Sequence, residues 1–128
     1  VMFFADPVAA FANLRRQCAP SALLRFSCFR AREDNRWYTD LVSVLPGPLE
    51  PPSPDAPGPF AFADPQRVRA ILTAAGWRDV AFEAVDYRMI AGEGESEALD
   101  EAVAYFQRIG PAARVIAALP ERARAAVC

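Results

Sequence analysis

The chain has 128 residues, 53% of them hydrophobic and 23% charged, with a formal net charge of −2; this is the profile of one globular domain long enough to bury a core. So small a net charge excludes a global basic field for nucleic acid, and no apolar run reaches the ~20 residues of a membrane span. There is no His and no Lys, which removes imidazole bases, Ser/His and Cys/His nucleophilic sites, His-ligated metals, Schiff-base chemistry and the lysine-bearing phosphate loop.

The first residues, VMFFADP, are too short for a signal peptide and lack its basic flank. A Val at position 1 with an apolar run already under way reads as a chain that begins inside a domain. Asp6-Pro7 then predicts a helix start: a capping carboxylate, then Pro at the first helical position, where its missing N–H costs nothing. The helix Pro7–Cys18 carries Val8, Phe11, Leu14 and Cys18 on its buried stripe, with Arg15 and Arg16 suited to its C-terminal dipole. Ala19-Pro20 stops it. Ala22 to Arg30 reads as a strand, with Leu24, Phe26 and Cys28 on one face and Leu23, Arg25, Ser27 and Phe29 on the other.

Asp34 or Asn35 caps a short helix through Leu45, with Trp37, Leu41, Val44 and Leu45 on its apolar side. In Pro46 to Pro59 seven of fourteen residues are proline, so this stretch is a polyproline-type spacer or lid hinge. Asp64-Pro65 repeats the helix-start signal, and Val68, Ile71, Leu72 and Ala75 fall at i, i+3, i+4 and i+7. Gly76 ends that helix, and Trp77 to Tyr87 alternates as a second strand. After a loop to Glu95, Ser96 caps a helix with Leu99, Ala102, Val103, Phe106 and Ile109 on its apolar face. Gly110-Pro111 closes it, Ala112 to Leu119 is again helical, and Pro120 opens a last helix towards Cys128. Strand, helix, strand, helix, strand argues an α/β sheet with helical crossovers.

Charge is unevenly spread. Arg15 to Arg36 holds six arginines against two acids, a net +4, while Asp79 to Glu101 holds eight acids against one Arg, a net −7. The basic stretch is a candidate RNA surface, but it lacks interleaved aromatic platforms and reads better as solvated faces and helix ends. Cys18, Cys28 and Cys128 form no CxxC pair and no zinc spacing. Their odd number, with no leader, argues free thiols in a reducing, cytoplasmic compartment.

Together these residues resemble a family. VMFFADPVAAFANLRR, a Pro turn, a strand and CFRAREDNRW resemble the second half of a class I S-adenosylmethionine-dependent methyltransferase of the small-molecule type. GPFAFADPQRVRAILTAAGWRDV is similar to that family's next segment, a helix ending in Gly-Phe or Gly-Trp before the sixth strand. The acidic helix Glu97–Ile109 and IGPAAR are similar to its helical insertion over the substrate pocket. The resemblance implies an incomplete Rossmann-like α/β sheet over residues 1–128 as one domain, with the 46–59 spacer inside it and 96–127 as helical insertion or lid. It implies S-adenosylmethionine as cofactor, with Phe3 and Phe4 near its methionine end, and a small-molecule substrate bordered by Asn35 and Trp37. The absence of His and of zinc-spaced Cys argues for no metal, and no catalytic base is assigned.

The family's Gly-rich cofactor loop and acidic ribose-binding residue lie ahead of these segments, and none of the six Gly forms a GxGxG. Its Pro-Gly-Gly turn is here Pro20-Ser21-Ala22, and Arg25, Ser27 and Arg36 also depart from its pattern. In such a sheet the fifth strand lies between the fourth and seventh, and the sixth pairs with the seventh. This chain carries only the fifth and sixth. Two expectations follow: a truncated methyltransferase segment, or a non-catalytic remnant or accessory domain. In either case the open sheet edges would invite a protein partner or a second copy.

Overall fold

The structure, a computed structural model, describes residues 1–45, 53, 56–92, 97–119 and 121. Among the described residues there are five α-helices, one short 3-10 turn and no β-strand. The expected Rossmann-like α/β sheet is therefore not formed. A helix closes its hydrogen bonds inside one segment, whereas a strand exists only beside a partner about 4.8 Å away. Period-two patterning decides which side chains face inward, but it supplies no partner.

The chain divides into two compact units, Val1–Asn35 with Pro51–Val85, and Arg36–Glu50 with Asp86–Cys128. In the first, α1 (Pro7–Gln17) packs against α3 (Pro65–Ala74). Both begin as the sequence predicts. The Asp6 carboxylate accepts the Ala9 N–H at 2.9 Å, and the Asp64 carboxylate accepts the Gln66 N–H at 2.8 Å, each ahead of a Pro. The end of α3 is a Schellman motif. The Trp77 N–H donates to the Leu72 carbonyl at 2.9 Å and the Gly76 N–H to that of Thr73 at 3.0 Å, with Gly76 at φ +87°. Trp77 and Leu72 are both buried, which supplies the apolar contact that accompanies such a cap.

The core of this unit is Phe11, Ala61, Phe62, Val68, Ile71, Leu72, Ala75 and Trp77. All four stripe residues of α3 are in it. The stripe of α1 is rotated from expectation: Phe11 is buried and Val8 and Ala12 pack beside it, but Leu14 and Cys18 are exposed. Arg15 occupies the last turn instead, its guanidinium 5.6 Å from the centre of the Trp77 ring and bonded to the carbonyls of Ala19 and Pro20. Its apolar stem lies along the core edge while the charge stays outside.

Residues 22–30 form no ladder, yet their alternation is realised. Leu24, Phe26 and Cys28 pack on the core while Leu23, Arg25 and Ser27 face out. Residues 81–88 are exposed throughout, so the second expected strand also has no partner here.

The second unit contains α2 (Arg36–Val44), α4 (Ala98–Arg108) and α5 (Gly110–Ala118), with α5 packed against both others. Asn35, one of the two residues expected to cap α2, donates its side-chain amide to the carbonyls of Arg30 and Ala31 at 3.3 and 2.7 Å across the 3-10 turn Arg32–Asp34. Gly110, at φ +78°, ends α4 and also opens α5, so that helix starts two residues before the expected Ala112. Val44, Leu99, Val103 and Ile109 are exposed, and the inward sides carry Trp37, Ala102, Phe106, Pro111 and Ala112. Most of the Pro46–Pro59 spacer, the Ser96 cap and the helix expected after Pro120 lie outside the described residues.

Candidate functional site

Phe3 and Phe4 stand just ahead of the α1 cap. Phe3 is 67% exposed, whereas Phe4 sits edge-on to Phe11, ring centres 5.9 Å apart. Phe11 in turn neighbours Phe26 at 5.5 Å and Phe62 at 6.0 Å, so Phe4 is the outermost ring of an aromatic cluster rooted in the core. Such rings present negative faces that favour a cationic group.

Asn35 belongs to the same unit as Phe3 and Phe4, with its amide committed to the 3-10 turn. Trp37 belongs to the other unit, stacked on Phe106 at 6.5 Å and 10° and edge-on to Tyr38 at 5.8 Å. The two residues expected to border a substrate thus have structural duties of their own, as a turn closure and as part of an aromatic stack.

The basic stretch is largely engaged within the chain. Arg15 lies over Trp77, Arg16 bonds Asn13 at 2.6 Å, and Arg32 lies 5.6 Å over Phe60. Arg30 pairs with Asp34 at 3.7 Å and Arg36 with Asp40 at 3.5 Å. These exposed i,i+4 pairs contribute little, roughly 0.3–0.5 kcal/mol each. Only Arg25, of the six, has no hydrogen bond, ion pair or ring partner among the described residues.

Cys28 donates its thiol to the Phe62 carbonyl at 3.5 Å, and burial pushes its pKa above the usual value. That is the opposite of what a nucleophilic thiol needs. Among the described residues no group of three or more His, Cys, Asp or Glu is placed to hold a metal ion, and no helix is long and apolar enough to cross a membrane. One feature that side-chain types alone did not single out is the anchoring of the second extended stretch. Arg69 donates to the Val80 carbonyl at 2.5 Å and covers Phe82 at 5.2 Å. Its sequence signal is an Arg on α3 a few residues before an alternating apolar run.

Compared with known protein families, curated proteins and solved structures, the chain matches none.

Proposed function

We propose that this chain takes part in methyl transfer from S-adenosylmethionine to a small molecule, supplying the acceptor side of the site. The observation that carries this reading is the run of linked segments that resembles the second half of a small-molecule methyltransferase. Two details of the structure are consistent with it: α1 and α3 begin at the Asp-Pro pairs of those segments, and α3 ends at Gly76-Trp77.

The residues present suit one part of the cofactor only. The Phe3 and Phe4 rings fit its sulfonium end, since an aromatic face attracts a cation. No GxGxG loop is present to receive its adenosine end; that part would come from another stretch of polypeptide. The cofactor supplies an activated methyl group on sulfur. What the protein contributes is alignment of the acceptor behind the methyl carbon and exclusion of water, and effective molarities of about 10⁵ M or more are within reach of positioning alone. The absence of His is compatible with this chemistry, which needs orientation more than a strong base. Asn35, in the same unit as Phe3 and Phe4, would border the acceptor, and a reducing, cytoplasmic setting suits the odd number of cysteines.

Equilibrium dialysis against radiolabelled S-adenosylmethionine tests the reading. Saturable binding that weakens severalfold in Phe3→Ala supports it, and Phe3 is exposed enough to be replaced without disturbing the core. No binding at millimolar ligand would remove this chain from cofactor binding and favour a non-catalytic accessory segment.

A further inference from the structure

Residues 23–27 and 81–85 are two stretches with strand patterning whose backbone N–H and C=O groups make no hydrogen bond among the described residues. Unpaired extended backbone at a surface is a template for another strand. Set antiparallel with Arg25 opposite Glu83, the two stretches match on both faces. On the outer face Leu23 meets Val85, Arg25 meets Glu83 and Ser27 meets Ala81. On the other face Leu24 meets Ala84 and Phe26 meets Phe82. A shift by one residue would set Arg25 against Phe82 or Ala84 and lose the charge pair.

The charges agree with this register. Arg25 and Glu83 are exposed, and neither has a hydrogen-bond or ionic partner among the described residues. Leu23 and Val85 are 75% and 68% exposed, unusually open for apolar residues that would cover one another in the ladder. Within one copy each stretch is already tethered elsewhere. Phe26 packs on Phe11 and Phe62, whereas Arg69 of α3 holds Val80 and covers Phe82.

We propose that residues 23–27 of one copy pair with residues 81–85 of a second copy, and reciprocally, so that two antiparallel ladders close a twofold dimer. A twofold interface is self-complementary, so every pairing occurs twice. The proposal does not depend on methyl transfer, because cofactor binding and dimerisation are separate readouts.

Sedimentation of the 128-residue chain over a wide concentration range, in reductant, tests it with Arg25→Glu, Glu83→Arg and Ser27→Pro. Wild type is expected to dimerise with concentration. Each charge reversal, counted twice by symmetry, weakens the dimer roughly tenfold or more. With Arg25 and Glu83 set as a hydrogen-bonded pair, the Ser27 N–H donates to Ala81, so Ser27→Pro removes a ladder donor and weakens the dimer likewise, whereas Ser27→Ala does not. The decisive arm is an equimolar mixture of Arg25→Glu and Glu83→Arg chains. Both contacts between unlike copies are then opposite in charge, so the mixture dimerises although neither variant does alone. Unchanged helical circular dichroism confirms that these exposed positions leave the fold intact. A wild type that stays monomeric, a dimer indifferent to Ser27→Pro, or a mixture that stays monomeric each overturns the proposal. Rescue in a single chain carrying both Arg25→Glu and Glu83→Arg, without rescue by the mixture, also overturns it, because the pairing would then lie within one copy.

Discussion

Phe11 is the residue on which the first unit depends most, and Phe11→Ala is the sharpest test of the core described above. The ring is fully buried and lies 5.9, 5.5 and 6.0 Å from the rings of Phe4, Phe26 and Phe62. Truncating a buried Phe costs about 3–5 kcal/mol through lost transfer energy and the cavity left behind. The Phe11 carbonyl, which accepts the buried Trp77 indole N–H at 3.0 Å, is backbone and survives the substitution. Native stability of ~0.05–0.15 kcal/mol per residue gives a unit of about 70 residues only ~3.5–10 kcal/mol. One side chain therefore accounts for a large share of it. Urea titration in a Trp37→Phe background leaves Trp77 as the sole indole reporter, and it sits in this core. With a slope of about 1.5 kcal/mol per molar urea, the midpoint should fall by about 2–3 M. Phe11→Leu, which keeps most of the volume, should lose far less. A midpoint shift below about 0.5 M for the alanine variant would refute the placement of Phe11 at the centre of the unit.

Asp6→Ala and Asp64→Ala should each cost about 0.5–2 kcal/mol in the same titration, while the Asn variants retain most of it, because an amide oxygen also caps. Gly76→Ala should destabilise by about 1 kcal/mol, since its φ of +87° strains any side chain. Asp79→Gly should shift stability the other way by up to about 1 kcal/mol, because Asp79 holds φ +57°. Equal signs for those two substitutions would sink the backbone argument. Burial raises the Cys28 thiol pKa, so in alkali the unfolded chain loses that proton before the folded one. Its contribution to stability is constant well below the unfolded thiol's pKa and declines as pH rises through that value towards the folded one. Cys28→Ala should remove that alkaline slope. A thiol reagent should correspondingly modify exposed Cys18 well before Cys28.

The helix ends were legible because the groups that make them are neighbours in the chain. Asp6-Pro7, Asp64-Pro65 and Leu72 to Trp77 each satisfy backbone groups within a few residues, and each does so in the structure as read. The inward side of a helix was less legible. The repeat in α1 allowed Leu14 and Cys18 inside, but only the arrival of Trp77, some sixty residues later, decided that Arg15 takes that position. Asn35 shows the same limit at the candidate site. Its side-chain oxygen suits a cap, but nothing in the local sequence says that its amide N–H groups also reach back to the carbonyls of Arg30 and Ala31.

The sequence by itself determined where α1 and α3 begin, where α3 ends, which residues of α3 are buried, and the alternation of residues 22–30. All of these are local: they depend on hydrogen bonds and side-chain periods within a few positions. Whether an alternating stretch becomes a strand was decided only in three dimensions, because its hydrogen bonds must be completed by a segment distant in sequence. Residues 23–27 and 81–85 have the pattern without the partner, and so the sheet the sequence led us to expect is absent among the described residues.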